Sequence, residues 1–227
     1  MLKFSQIEKH YRLGNQSVPA LCGVSGEVQR GEMVALCGPS GSGKSTLLNL
    51  LGLLDMDYQG QIELDQVPWP KDRYAAAKIR RSQMGFVFQK FNLVPVMTAL
   101  ENVVYPLMLN GVAISDQQRL GHQILERVGL GGFESHRPDN LSGGQQQRVA
   151  IARAMIHQPQ IVIADEPTAS LDSQTANTVI DMMKSLGHDM GTTFIVATHD
   201  GRMATRCDRV MNLVDGALIQ ETMKWAS

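Results

Sequence analysis

The chain lacks most of the signals that would place it in a specialised class. Its three cysteines, Cys22, Cys37 and Cys207, form no CxxC pair and show no metal-ligand spacing. An odd set of isolated thiols argues against a disulfide scaffold and fits reduced side chains in the cytosol, each expected to be a small buried hydrophobe. Formal net charge is −1, so no global basic field favours nucleic acid or an anionic membrane surface. Long apolar runs are missing too. No uncharged stretch is longer than that from Asn102 to Ser115, which is interrupted by Pro106, Asn110 and Gly111, whereas a membrane span needs about 20 mostly apolar residues. The opening MLKFSQIEKH has no apolar leader core, so no signal peptide is expected. No repeat and no low-complexity tract is present, and the lack of an [NT]KxD guanine-recognition pattern disfavours a GTPase.

What is there is the composition of an ordinary globular protein, with 43% hydrophobic and 19% charged residues in 227 positions. That length supports one substantial core, or a core with a smaller lobe. Residues 2 to 37 hold short strand-like pieces ending in MVALC, with a turn at Arg30-Gly31. A glycine-rich loop and the apolar helix LLNLLGLL follow directly, then strand patterns at 60–66 and 84–89. From 90 to about 140 the pattern changes. Thr98 and Glu101 form a capping box for a helix carrying Val103, Val104, Leu107 and Met108. Ser115 opens a second helix with Leu120, Ile124 and Val128 on one face and Gly129 as its stop. Two helices without an intervening strand read as a lobe inserted into an α/β core. After 141 the alternation returns, with helix 145–157, strand 161–165, helix 173–186 and strand 192–198. These strands are apolar throughout, as in a parallel sheet covered on both faces. Asp215-Gly216 is a hairpin signal between RVMNLV and ALIQ.

The chemistry concentrates in three places. GPSGSGKST at 38–46 fits the phosphate-loop pattern, one of the general patterns with a known mechanism. Gly38, Gly41 and Gly43 let backbone N–H groups turn toward phosphate oxygens, Lys44 brings a compact positive charge, and the Ser45 hydroxyl is a Mg²⁺ ligand. The whole loop, including Pro39, Ser40, Ser42 and Thr46, is assigned to nucleotide binding, with the helix start behind it favouring anions. Strand IVIAD then delivers Asp165 and Glu166 to the ligand edge of the sheet. Asp165 suits a metal-site role, through a water, and Glu166 a general-base role toward an attacking water. In LSGGQQQ at 141–147, Ser142 is an N-cap and Gly143 and Gly144 permit close approach to an anion. On its own that stretch reads equally as an ordinary capped helix.

Three single residues join them. Gln89 ends a strand before the helical lobe, where it can sense metal or water. His199 ends TTFIVAT, within reach of a γ-phosphate. Tyr11, placed in a loop before the first core strand, can stack on adenine. Singly, they also fit a surface glutamine, a satisfied strand-end histidine and a core tyrosine. Their order relative to the other motifs favours the site.

In this order the motifs resemble the ATP-binding cassette (ABC) family, over essentially the whole chain. The resemblance implies that 38–46 is the Walker A motif, Gln89 the Q-loop residue and 161–166 Walker B. LSGGQ at 141–145 corresponds to the signature, Ser170-Leu171-Asp172 to the D-loop and His199 to the switch histidine. It further implies ATP and Mg²⁺ as cofactors, with Ser45, Gln89 and Asp165 at the metal and Ser142, Gly143, Gly144, Gln145 and Asp172 at the nucleotide. The implied fold is one ABC ATP-binding domain over 1–227: an α/β P-loop NTPase core with a mostly parallel sheet, an N-terminal antiparallel β subdomain and an inserted α-helical subdomain. The core is expected at about 1–89 and 141–227, the helical part at about 90–140. Such cassettes pair head to tail, so a homodimer is implied, working with a separate integral membrane permease at the cytoplasmic face of the inner membrane and with no nucleic acid. GSGKSTLLNLLGLLD and GFVFQKFNLVPVMTALENVVYPL look like the branch of lipoprotein-releasing LolD and macrolide-export MacB cassettes. That branch commonly has Gly-Asn where this chain has Ala169-Ser170. The same machinery would serve an ATPase that transmits force across a membrane without transport. Soluble DNA-repair or translation members usually carry a coiled coil, a zinc module or a second cassette, none of which appears here.

Overall fold

The computed structural model describes residues 1–14 and 16–223. In chain order the strands are β1 (Leu2–Leu13), β2 (Gln16–Val28), β3 (Met33–Cys37), β4 (Gln59–Leu64), β5 (Val67–Pro68), β6 (Met84–Phe88), β7 (Ile161–Asp165), β8 (Thr193–Ala197), β9 (Arg209–Val214) and β10 (Ala217–Met223). The helices are α1 (Lys44–Leu51), α2 (Arg73–Gln83), α3 (Ala99–Leu109), α4 (Ile114–Arg127), α5 (Gly143–Met155), α6 (Ser173–Met190) and α7 (Gly201–Arg206).

Two sheets organise them. Strands β2, β1, β4 and β5 pair antiparallel in that order, and β10-β9-β3-β8-β7-β6 form a six-stranded sheet. In the larger sheet β9, β3, β8, β7 and β6 are all parallel, and only β10 pairs antiparallel. This is the mixed α/β architecture expected from the alternation of apolar strands and helices.

Strand periodicity explains why those apolar runs need cover on both sides. In β7, Val162 and Ala164 enter one core with α3, α4, α5 and α6, while Ile161 and Ile163 enter a second core with α1 and the antiparallel sheet. Strand β8 splits in the same way, Phe194 and Val196 to the first core and Ile195 and Ala197 to the second. From α1, Leu47, Leu48, Leu50 and Leu51 are all buried, each worth roughly 1.5–3 kcal/mol relative to an exposed side chain.

Local signals behave unevenly. At α3 the Thr98 hydroxyl accepts from the Glu101 N–H (3.2 Å) and the Thr98 N–H donates to the Glu101 carboxylate (2.7 Å), completing the box. The β9–β10 hairpin closes on Asp215 and Gly216, with φ of 46° and 75° as a primed turn requires. Ser115 does not open α4. Ala113 is the N-cap, without a side-chain acceptor, and Ser115 lies inside the first turn. Met108 is half exposed rather than packed. Of the cysteines only Cys207 is buried: Cys37 is intermediate, and Cys22 sits at an outward position of β2.

Candidate functional site

Four parallel strands end side by side. The register aligns Phe88 with Asp165 and Asp165 with Ala197, while Leu36 on β3 also aligns with Ala197. The residues just beyond these ends therefore converge: the glycine loop after β3, Gln89 after β6, Glu166 after β7 and His199 after β8. They line an open cleft of about 800 Å³ together with Asp165 and Lys44.

The loop's shape depends on glycine at its two ends. Gly38 has φ 150°, and a Cβ there would collide with the Leu213 carbonyl oxygen. Gly43, the N-cap of α1, has φ 101°, and its Cβ would lie 2.5 Å from the Ala20 oxygen. The Lys44 ammonium donates to the Gly38 and Pro39 carbonyls at 2.8 Å each, so the loop curls around the charge it presents. Pro39, Ser40, Gly41, Ser45 and Thr46 also line the cleft. The Ser42 side chain does not; it is buried, and its hydroxyl has no partner.

Around Asp165 and Glu166 the electrostatics are specific. Burial pushes the Asp165 carboxyl above the usual carboxylate range, a shift opposed by a hydrogen bond from Ser45, reinforced by the Glu166 charge and opposed by Lys44. Glu166 sits in left-handed backbone, φ 48°, its N–H held by the Ala197 carbonyl at 2.9 Å. Its Oε1 lies 2.7 Å from His199 Nδ1. The glutamate side chain is 17% exposed and the histidine 71%, so the pair joins a sheltered carboxylate to a solvent-facing ring. Among the described residues, no group of three His, Cys, Asp or Glu side chains could by itself hold a metal.

The signature segment lies elsewhere. Ser142, Gly143, Gly144, Gln145 and Asp172 are absent from the cleft lining. Ser142 caps α5, accepting from the Gln145 N–H (3.3 Å), while Gln145 Oε1 accepts from the Ser142 N–H (2.8 Å). Asp172 caps α6 through the N–H groups of Gln174 and Thr175, both at 3.0 Å. A hydrogen bond from the Thr175 hydroxyl, followed by those backbone bonds, holds its carboxyl below the usual range. At Gly144 a Cβ would run into Thr175, which packs the two capped helix starts against each other. Ser170 links this region to the cleft, its hydroxyl donating to the Gln89 carbonyl at 3.2 Å.

Tyr11 corrects one expectation. It is not in a loop but on β1, paired with Val18 of β2, and it reaches the cleft half exposed. Lys9, on the same strand, places its ammonium 5.2 Å from the Tyr11 ring. Sequence reasoning missed the neighbours on β2, Val18, Pro19 and Ala20, which complete that wall. Their strand pattern was visible; that the antiparallel sheet folds over the glycine loop was not. The hairpin tip helps to fix that contact, since Gly216 donates to the Ser42 carbonyl (3.1 Å) and accepts from the Cys22 N–H (2.8 Å).

A parallel-sheet edge of this kind is where phosphate-loop nucleoside triphosphatases hold and cleave their substrate, and the chain is one of them. The family model described as ABC transporter matches residues 21–169, well over half of the chain. The chain belongs to that family and is an ATP-binding, ATP-hydrolysing member of it. It is 47% identical over 219 residues to the lipoprotein-releasing system ATP-binding protein LolD of Legionella pneumophila (strain Paris), covering 96% of each chain. To the ABC transporter ATP-binding protein YvrO of Bacillus subtilis (strain 168) it is 44% identical over 220 residues, again 96% of each. Among solved structures, the dimeric post-hydrolysis state of the ATP-binding cassette MJ0796 bound to ADP and Pi superposes with a TM-score of 0.91 at 40% identity, covering 98% of both chains. The protein of that name is from Methanocaldococcus jannaschii.

Proposed function

We propose that two copies of this chain pair head to tail around two ATP molecules and drive a separate membrane permease of the LolD/MacB type. One observation carries the reading: the loop, Asp165, Glu166, Gln89 and His199 share one cleft, while the LSGGQ segment lies outside it. A second copy can present its Ser142, Gly143, Gly144 and Gln145 to that cleft, and a two-fold pair makes both sites complete. The dimeric MJ0796 cassette with ADP and Pi supports the pairing.

Within each site the roles follow from position. Backbone N–H groups of 38–46 and the Lys44 ammonium hold the phosphates, and Tyr11 stacks on the adenine. Glu166 takes the proton of the attacking water. His199, bonded to that carboxylate, holds it in place and reaches toward the γ-phosphate. Gln89 positions the water and the metal side of the site, and Asp172 supports the paired signature. The donor set fits a hard divalent cation, since the hydrogen-bonded Ser45 hydroxyl and Asp165 carboxyl offer only oxygen and leave the other positions to phosphate and water. Bound there, Mg²⁺ would neutralise charge on the phosphate oxygens.

Between the sheet and α3 lies a second hollow of about 480 Å³, lined by Phe86, Phe88, Val94, Tyr105 and Leu109 with Arg153. It suits a short helix of the permease, which gives residues 90–140 the role of a lobe that docks the partner. No helix among the described residues is long and apolar enough to cross a membrane; in this reading the permease holds the protein peripherally at the cytoplasmic face. The decisive experiment is Glu166→Gln. Turnover should fall by roughly 10²–10⁴-fold, as for loss of a general base, while ATP binding persists and an ATP-bound dimer accumulates. Unchanged turnover would remove Glu166 from its role, and a variant that stays monomeric with ATP would sink the pairing.

A further inference from the structure

We propose that Gln147 is a positioning residue for Glu166, tying the signature helix to the backbone that carries the catalytic carboxylate. The inference rests on reading Glu166 as the general base. Gln147 lies on α5, just beyond LSGGQ, and its side chain is fully buried at 0% exposure. Its Nε2 donates to the Pro167 carbonyl at 2.6 Å. Pro167 directly follows Glu166.

The backbone at this point needs holding. Glu166 occupies left-handed conformation, unfavourable for a side chain with a Cβ. The turn it opens closes through Ala169 N–H to the Glu166 carbonyl at 3.2 Å. Thr168, also buried, reaches Asp200 Oδ2 at 3.4 Å, beside His199. The turn is thus fastened on the histidine side by Thr168 and on the signature side by Gln147.

A purely structural role explains Gln147 poorly. Its Oε1 is buried without a partner, and an orphaned buried acceptor costs more than one hydrogen bond returns. Exchanging the amide for an apolar side chain of similar volume moves the orphan from Gln147 Oε1 to the Pro167 carbonyl. Stability should then change little, whereas the angle at which Glu166 meets its water loses its restraint. Because α5 begins at the signature, the same bond joins the segment offered to one ATP with the base that acts on the other.

The test uses the full chain with Gln147→Met, and Gln147→Leu as a second apolar variant. For both, Tm should stay within about 3 °C of the parent and KM for ATP within about twofold, while kcat falls about tenfold, as for a misplaced general base. In a Glu166→Gln background the same change should lower the residual single-turnover rate by less than about twofold, since a residue acting through Glu166 has nothing left to position. Normal kcat in Gln147→Met overturns the proposal. So does an undiminished loss in the Glu166→Gln background, or failure of both variants to fold. If Glu166→Gln itself turns over normally, the general-base reading falls first. If that variant is inactive while Gln147→Met is normal, only the role of Gln147 falls.

Discussion

Asn102 offers the clearest test of how the segment between β6 and α3 is held. It sits in the second turn of α3 with 1% exposure. Its Oδ1 accepts from the Val94 N–H at 2.8 Å, and its Nδ2 faces the carbonyls of Val94 (3.1 Å), Met97 (3.2 Å) and Thr98 (3.0 Å). An amide nitrogen has two hydrogens, so at most two of those three are fully formed at once, giving three bonds in all. At about 0.5–1.5 kcal/mol net each, and with a partly buried Val94 N–H left unpaired, Asn102→Ala should cost roughly 3 kcal/mol. For a chain of this size that corresponds to a fall in Tm of roughly 6–12 °C. Urea unfolding monitored by circular dichroism measures it directly. The cleft residues lie outside this network, so ATP affinity should survive. Permease-stimulated turnover should drop more than basal turnover, because Val94 lines the proposed docking hollow. A loss below about 1 kcal/mol would refute the reasoning, since it would mean the three bonds are replaced by water at no cost.

Two further outcomes are expected. In mixed dimers, a Ser142→Ala subunit paired with a Lys44→Ala subunit should leave one site intact, because head-to-tail pairing brings both defects to the same nucleotide. Turnover indistinguishable from that of a dimer with both sites damaged would exclude this geometry. Acid sensitivity should be traceable to Asp65, whose carboxyl is held down to about 2, chiefly by Arg30. A depressed carboxylate stabilises the fold fully above its unfolded value near 3.8 and loses that contribution as pH falls toward 2. Arg30 is 71% exposed, so solvent screens the pair and its contribution is small. Asp65→Asn should flatten stability between those pH values, and an unchanged acid slope in thermal melts would discount the pair.

What could be read from the sequence was whatever needs only neighbours along the chain. GPSGSGKST between an apolar strand and helix, IVIAD running into Glu166, and the Thr98–Glu101 box each carry their context within a few residues. Helix α2 was passed over because its exposed, basic face hides the pattern: Ala76 is its sole fully buried residue. Its start is nonetheless an ordinary cap, with Asp72 accepting from the Ala75 N–H at 2.8 Å. Tyr11 was misplaced, and Val18, Pro19 and Ala20 overlooked, because their approach to the cleft is set by the antiparallel sheet as a body. Gln147 was invisible for the same reason. Nothing in LSGGQQQ distinguishes one glutamine from another until the fold buries one of them against Pro167.

The signature's geometry also explains why a chain with one cleft carries two anion-ready helix starts. In the capping box of α5 the acceptors are used internally: Ser142 Oγ takes the Gln145 N–H, and Gln145 Oε1 takes the Ser142 N–H. What remains at the helix start is donors, the Ser142 hydroxyl proton and the first N–H groups of α5, reinforced by the helix dipole. The glycine loop is likewise a donor surface, with Lys44 at its centre. Two donor surfaces cannot satisfy each other, and each leaves orphaned groups unless an anion or water meets it. A triphosphate lying in the cleft has oxygens facing the loop and oxygens facing outward. In the proposed pair the outward oxygens meet the partner's α5, so one ligand satisfies both surfaces. In that pair, dimer formation would require the γ-phosphate, and departure of Pi after hydrolysis would remove the acceptors that held the two copies together.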